Sequence, residues 1–425
     1  MKNSIDFVRC IQADVAVIGG GTAGCFAAIA AARVGASVVL VEKSSMLGGT
    51  MTTAGVAFPG LFHAWGRQII DGPCWESVRR AAALDGAQIP AIVYKPQHHW
   101  QEQVPVNSFI YTSVLDEMCA ESGVQILLHT MLFDAQEEPE QIHLLLACKE
   151  GPVLLTAKQA IDATGDANLV RRLGYPVQFS DEVQPATLIN DLDGYDPASI
   201  ERESFLAFLK EQEIAGTLHP RDYQGFYLWD QLQGRRISMH LAVHQGETSE
   251  GKTLLEQQAR RELLRIILVL RKYPGLENLQ VKSFADECGV RETVRIDGEL
   301  CQTADRYVSG YRYEDAICYA FYPIDRHMET GIHQIFLKEE IIPTISFRAL
   351  QPKGTNRLLA VGRCVSSDRD TQSAIRVCAP CMAMGQAAGA AAALAAQKNL
   401  AVKELDYNEL CAALKKLGAV VPEKI

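Results

Sequence analysis

Long hydrophobic runs are scarce in this chain. One such run, residues 263–270, is broken by Arg265 and falls far short of membrane-spanning length. Positive charge is in deficit: 41 Lys and Arg stand against 51 Asp and Glu, a net charge of −10. That excludes a nucleic-acid binder held by a broad basic surface, though not a local basic pocket. The 12 cysteines are scattered and form no four-cysteine cluster, so neither an iron–sulfur centre nor a structural zinc is expected, nor any other metal. Residues 1–11 are too polar and too short for a signal peptide. A cytoplasmic protein with reduced thiols is the expectation. What remains is an ordinary globular composition, 48% hydrophobic and 22% charged over 425 residues, enough for two domains with disulfide-free cores.

The pattern is densest at residues 13–42. Residues 14–18 are a short β-branched apolar run, expected as a buried strand. Gly19, Gly21 and Gly24 follow in G-x-G-x-x-G spacing, with Thr22 and Ala23 between them. An Ala-rich helix is expected over 22–34, stopped by Gly35, then a second buried strand over 37–41 ending in Glu42. Gly19 permits a tight turn, Gly21 lets backbone approach a pyrophosphate, and Gly24 lets the helix lie close on the strand. The helix N-terminus offers unpaired N–H groups and partial positive charge to phosphate. Glu42 can accept hydrogen bonds from a ribose diol. Lys43 and the small-residue loop to Gly55 come directly after the ribose strand, so they too are expected at the cofactor.

Beyond it, helices are expected over 75–84 and 108–122, the latter ended by Gly123. A strand over 124–129 continues to 132. A hairpin pairs 142–148 with 153–156, turning at 150–152, and a separate strand over 159–163 runs into Thr164-Gly165-Asp166. The His98-His99 pair with Trp100 is placed at a substrate entrance. From about 175 to 348 the βα rhythm is lost. That stretch carries an amphipathic helix over 254–270 and strands over 237–243, 280–284, 319–323 and 332–338, and is expected to be an inserted α+β domain. A strand over 356–361 then leads to Gly362-Arg363. Residues 379–396 form an Ala- and Gly-rich helix, with Gly385 and Gly389, that must pack against something flat. A terminal helix follows within 402–418.

These landmarks together resemble the FAD-dependent oxidoreductases of the glutathione-reductase-like superfamily, on the fumarate-reductase side. They are the glycine motif with Glu42, Leu47-Gly48-Gly49-Thr50, Asp162-Ala163-Thr164-Gly165-Asp166, Gly289-Val290-Arg291-Glu292-Thr293-Val294-Arg295-Ile296, Tyr322-Pro323-Ile324-Asp325-Arg326-His327, Ala360-Val361-Gly362-Arg363 and residues 376–389. The resemblance implies an α/β fold: a Rossmann-like FAD-binding domain over 1–174 and 349–425, with an inserted substrate or cap domain over 175–348. It implies extended FAD, its pyrophosphate on Gly19 to Gly24, its ribose on Glu42, its adenine by Leu132, and Ala163, Thr164 and Gly165 close by. Gly48, Gly49, Thr50, Met51 and Thr52 would pass along the isoalloxazine. Gly362, Arg363 and the segment containing Ser373, Gly385 and Gln386 would close over it. Fumarate reductases tether FAD through a histidine near this loop; Thr50 and Met51 stand here instead, so non-covalent FAD is expected.

Hydride transfer at flavin N5 needs a group to orient the substrate and an acid or base to move the proton. Arg291, Arg295 and His327 are candidates from the insertion, with Arg348 and Arg376 near its hinge. An arginine pair would grip a carboxylate bidentately, and His327 would relay the proton. Arg291 and Arg295, flanking Glu292, equally suit ion pairs of domain packing. Val294 replaces an arginine the family pattern would show. Cys378-Ala379-Pro380-Cys381 is either a thiol–disulfide pair or two structural thiols. The expected activity is oxidoreduction of a small polar or anionic substrate with an unnamed electron donor or acceptor. Neither nucleic acid nor membrane is an expected partner, and self-association into a homo-oligomer is compatible with the sequence. The rivals are a tRNA-modifying flavoprotein, which shares the opening motif, and a flavin subunit of an electron-transfer complex.

Overall fold

The computed structural model describes residues 6–94, 103–223, 227–242, 246–328 and 331–423. Its centre is a seven-stranded sheet. The Arg9–Ile18 strand (β1) pairs in parallel with the Val38–Val41 strand (β2) on one side and with the Gly151–Asp162 strand on the other. Between β1 and β2 runs the Thr22–Arg33 helix (α1), nine of whose twelve residues are buried. Being apolar all round, it sits inside rather than on the surface.

The expected strands 153–156 and 159–163 are one strand, Gly151–Asp162, and the hairpin turn lies before it. It changes partners along one edge. The Ile142–Cys148 strand pairs with it as far as Ala157, and the Leu358–Ala360 strand takes over from Ala160. The expected strand 124–132 is two. His129 adopts φ 51°, which ends the Gln125–Leu127 strand beside β2 and turns the Met131–Glu137 strand antiparallel onto its neighbour. The kink carries Thr130 and Leu132 to Glu42; Thr130 N–H donates to the Glu42 carbonyl at 3.0 Å. Strands ending at Ile18, Val41, Asp162 and Ala360 therefore deliver their loops to one edge, where α/β sheets hold ligands.

The Cys378–Lys398 helix lies across α1. A Cβ on Gly385 would stand 2.0 Å from the Ala23 carbonyl oxygen, and one on Gly389 2.0 Å from that of Ala27. The flat partner these glycines require is thus another helix. By length and composition Cys378–Lys398 is apolar enough to cross a membrane, yet 94% of its apolar window is buried inside the fold.

A second core, from Ala186 to Cys288, is built on a three-stranded antiparallel sheet: Arg236–Ala242, Ala186–Asp193 and Gln280–Phe284. The Ser249–Leu270 helix packs on it through Leu255, Ala259, Leu263, Ile266, Ile267 and Leu270. It starts five residues before the apolar period does, because Thr248 caps it by accepting from Gly251 N–H at 3.0 Å. Tyr307, Ile317, Phe321, Ile345 and Leu350 bury instead in the core around α1. The expected strand 319–323 is displaced: Ala316–Tyr319 is a strand, Tyr322-Pro323 a connector, and Ile324–Met328 pairs antiparallel with Gly331–Ile335. His98, His99 and Trp100 lie outside the described residues.

Candidate active site

A cleft of about 980 Å³ runs along the carboxyl edge of the main sheet and reaches residues 287–291 and 322–327. At its phosphate end Gly19, at φ 104°, turns the chain sharply; a Cβ there would meet the Ala163 carbonyl oxygen at 2.4 Å. Gly21 caps α1 without any side-chain cap. The first N–H groups of the helix therefore face the cleft beside Gly21, Thr22 and Ala23, a fitting cradle for a pyrophosphate. Gly24 lies behind it, where a Cβ would sit 1.8 Å from the Gly19 carbonyl oxygen. Ala163, Thr164, Gly165, Gly362 and Arg363 form the opposite wall.

Buried Asp162 shapes that wall by accepting from Thr164 N–H and Oγ1–H and from the Leu169 and Val170 N–H groups, at 2.7–3.0 Å. Each nitrogen of the Arg363 guanidinium is bonded to protein. It donates to the Gly165 carbonyl at 2.8 Å, the Val290 carbonyl at 2.7 Å and Asp166 at 2.5 Å. It ties the Gly165-Asp166 turn to Val290.

At the far end stand Glu42, Lys43, Thr130, Met131 and Leu132. The Glu42 carboxylate accepts Gly20 N–H and Ser44 N–H, both at 2.7 Å. That fixes its direction and leaves each oxygen a further acceptor site for a ribose diol. Lys43 pairs with Glu287 of the insertion at 3.0 Å, and Lys252 reaches the same carboxylate at 3.5 Å. All three line the cleft.

The loop after β2 enters it only in part. Gly49, Thr50, Thr53 and Ala54 of the expected loop line it, as do Val56 and Phe58 beyond it, which the sequence did not single out. Gly48, Met51 and Thr52 stand behind the wall: Met51 is fully buried, and Thr52 Oγ1 donates to the Leu47 carbonyl at 2.6 Å. A 3-10 turn at Gly49–Met51 sorts them, and only the apolar Met51 hinted at it. Ser373, Gly385 and Gln386 also lie off the cleft. Buried Ser373 accepts Asp325 N–H at 3.0 Å, and Gln386 accepts from the Cys74 thiol at 3.3 Å.

Elsewhere along the cleft the structure brings together Arg291, Tyr322, Asp325, His327 and Arg376. Asp325 and His327 are two apart on a strand and share a face; His327 Nε2 lies 2.8 Å from Asp325 Oδ2. Gln334 donates to Asp325 Oδ1 at 2.8 Å. Burial alone would raise the Asp325 pKa, but His327, Gln334 and Arg376 outweigh it and hold it at about 2. Burial, together with Arg291 and Arg376, lowers His327 to about 4 against the opposing pull of Asp325. The Arg291 guanidinium is pushed down to about 9 by burial and by Arg376. Arg376 donates weakly to Gln184 Oε1 and the Asp325 carbonyl, both at 3.4 Å, and among the described residues its Nε has no hydrogen-bond partner. Two buried guanidiniums thus meet Asp325, with Glu292 also acting on Arg376 and Arg291 Nη1 donating to the Pro185 carbonyl at 2.5 Å.

His240, from the Arg236–Ala242 strand, packs edge-on against His327 with ring centroids 4.4 Å apart. No local pattern marked it, because strand pairing across the insertion brings it there.

Arg295 is not part of this group. It is buried against Glu292 at 3.2 Å and Ser180 at 2.9 Å, and Glu292 also binds Arg369 at 2.9 Å. The buried Glu292 carboxylate draws Arg295 inward. Arg348 pairs with Asp315 at 3.1 Å on the surface. Cys378 and Cys381 both line the cleft as free thiols. Burial pushes Cys378 up to about 11 and holds Cys381 well above the ordinary thiol value. Among the described residues no group of three or more His, Cys, Asp or Glu is placed to hold a metal ion.

The family model described as FAD dependent oxidoreductase matches residues 14–414. Among curated proteins, a thiamine thiazole synthase of Methanococcus vannielii is 25% identical over 184 residues, 41% of this chain and 64% of that protein. A digeranylgeranylglycerophospholipid reductase 1 of Methanosphaera stadtmanae is 30% identical over 175 residues, 39% of this chain and 41% of that protein. The matched part thus spans less than two thirds of either relative. Neither is a fumarate reductase, so the placement within the superfamily drawn from the motifs shifts while the family holds. Among solved structures, a geranylgeranyl bacteriochlorophyll reductase-like protein of Thermoplasma acidophilum aligns over 96% of this chain and 83% of its own, at 13% identity and TM-score 0.44.

Proposed function

Because the chain belongs to the FAD dependent oxidoreductase family, and so binds FAD, we propose that it transfers a hydride between flavin N5 and a small organic substrate bearing an anionic group. Bound FAD supplies the hydride acceptor or donor. The chain supplies the rest. Gly19, Gly21, Thr22, Ala23 and Gly165 hold the pyrophosphate, Glu42 the ribose, and the loop from Gly49 to Phe58 the flavin. In this reading the flavin is held by 1–174 and 349–425, and the insertion, with its own core between Ala186 and Cys288, covers the reactive end. Thr50 offers no imidazole for a tether, so FAD is non-covalent. The substrate is a small molecule; neither nucleic acid nor a membrane surface has a role in the reading.

The observation that carries it is the meeting of buried Arg291 and Arg376 with His327, where among the described residues Asp325 is the carboxylate that answers both and Glu292 adds its charge to Arg376. Buried charge without its counter-ion is costly, and a substrate carboxylate supplies the missing charge through charge-assisted hydrogen bonds. The test is anaerobic mixing of the yellow protein with anionic and neutral candidates, watching flavin absorbance. Anionic compounds are expected to react or to perturb the spectrum, and Arg291→Ala should cut kcat/KM at least about 30-fold, the ~2 kcal/mol of a severed charge pair. Equal rates with neutral analogues, or an unaffected variant, overturn the reading.

A further inference from the structure

We propose that Cys378 and Cys381 form a second redox centre, a dithiol that exchanges two electrons with bound flavin by way of a Cys378–Cys381 disulfide. The proposal rests on FAD binding and not on the substrate reading above. It uses two cleft side chains that the substrate reading leaves idle.

Spacing alone allows Cys378-Ala379-Pro380-Cys381 to be a redox pair or two structural thiols; placement separates the two. Cys378 is the first residue of the Cys378–Lys398 helix and Cys381 the fourth. Side chains three apart on a helix are neighbours, with Cβ atoms ~5–6 Å apart, against about 3.5–4.5 Å in a disulfide. That gap closes in the first helical turn, whose N–H groups have no earlier turn to bond to and where Pro380 has no N–H at all. The Cys381 N–H holds the turn through the Val377 carbonyl at 3.2 Å. Further along, Gly385 and Gly389 press the helix against α1, so the adjustment stays local.

Both thiols line the cleft, whereas Cys25, Cys119 and Cys318 are buried away from it. Cys378 Sγ is 4.0 Å from Thr22 Oγ1 at the pyrophosphate cradle. On the other side Phe58 and Gly60, at the end of the loop assigned to the flavin, line the same cleft, and a Cβ on Gly60 would stand 3.7 Å from Ala379 N. The pair therefore adjoins both the cradle and the flavin loop.

Burial selects the partner. It pushes Cys378 up to about 11 against the opposing pull of Thr22 and Arg376. A dithiol and a disulfide are both uncharged, so either state fits this wall without a buried charge. What burial hinders is exchange with an outside thiol, which needs an accessible thiolate. The reactant left to the pair is the coenzyme held against it.

In the step, the disulfide takes an electron pair and one proton from anionic reduced flavin and a second proton from solvent. The S–S bond breaks, two S–H bonds form, and oxidised flavin is left. The reverse step returns the electrons. No other reactant is needed, and the holoenzyme stores twice the electrons that its flavin holds.

The test oxidises the holoenzyme with diamide, removes the reagent and titrates anaerobically with dithionite. Wild type is expected to consume about two equivalents per FAD, and Cys378→Ser and Cys381→Ser about one. Serine at 381 can keep the bond that the Cys381 thiol donates to the Arg376 carbonyl at 3.2 Å. Thiol counting after denaturation reads the pair without the flavin. Oxidised wild type should show two fewer thiols than its 12 cysteines, peptide masses should place the disulfide at Cys378–Cys381, and photoreducing the flavin should restore both thiols. If oxidised wild type keeps every thiol, if its disulfide maps elsewhere or survives flavin reduction, or if the FAD-loaded variants also consume about two equivalents, the proposal falls. The hydride-transfer reading is judged separately, by the response to anions.

Discussion

Replacing Gly389 by alanine separates two effects that usually travel together. In a helix interior the change from glycine is worth ~1 kcal/mol in favour of alanine. Here the new Cβ would stand 2.0 Å from the Ala27 carbonyl oxygen, 2.8 Å from its carbon and 2.9 Å from Ala27 Cα. All three are backbone atoms of α1, so no side chain can swing aside. Restoring van der Waals distance requires the two helices to part by more than an ångström, at the centre of a core in which both are buried. Overpacking of that kind costs ~1–3 kcal/mol where neighbours can adjust, and more where dispersion is forfeited along a whole helix pair. The expected net loss is about 2 kcal/mol or more, read as a lower urea midpoint for the apoprotein. Gly385→Ala makes the same collision with Ala23, which lines the cleft, so it should also weaken FAD binding at least about tenfold. The reasoning is refuted if Gly389→Ala matches or exceeds wild-type stability, or if Gly385→Ala binds FAD as tightly as Gly389→Ala does.

Other perturbations read other parts of the site. Glu287 bridges Lys43 and Lys252 across the cleft; burial would raise its pKa, but the two lysines outweigh that and hold it low. Its contribution is therefore present above the usual carboxylate value of about 4.3 and is lost as pH falls through the lower folded value; Glu287→Gln should speed FAD release severalfold at neutral pH, and a salt-independent, unchanged off-rate would refute the bridge. Arg295→Ala should lower stability by ~3 kcal/mol or more, since it strips a partner from buried Glu292, while the substrate KM stays put; a KM rise with normal stability would return Arg295 to the substrate. Alkylation at pH 8 should reach exposed Cys10 well before Cys378, whose thiol is pushed up to about 11, with Cys378 reacting only as pH rises towards that value; early labelling of Cys378 in peptide maps would contradict its burial.

Residues 13–42 were legible because every constraint there is local. A strand, a helix and the glycines between them are set by period, by φ and by the absence of side chains, and these are written into consecutive residues. The same holds for the amphipathic face of Ser249–Leu270, whose buried positions follow from helical spacing alone. Boundaries that depend on partners were not legible. Gly151–Asp162 is one strand because two different neighbours share its edge, and the start of Ser249–Leu270 depends on a cap rather than on apolar period. The cofactor's glycine cradle could be found in order along the chain. The group at Asp325 could not, since Arg291, Arg376, His240 and the Asp325–His327 pair come from four segments that only folding assembles. Whether an arginine meets a substrate or a buried glutamate depends on which carboxylate lies nearest in space, and so Arg291 and Arg295, four residues apart, ended in different places. Local chemistry thus settled that the chain holds FAD; long-range packing decided which charges were left without an answer beside it, because charge balance is a property of a volume and not of a stretch of sequence.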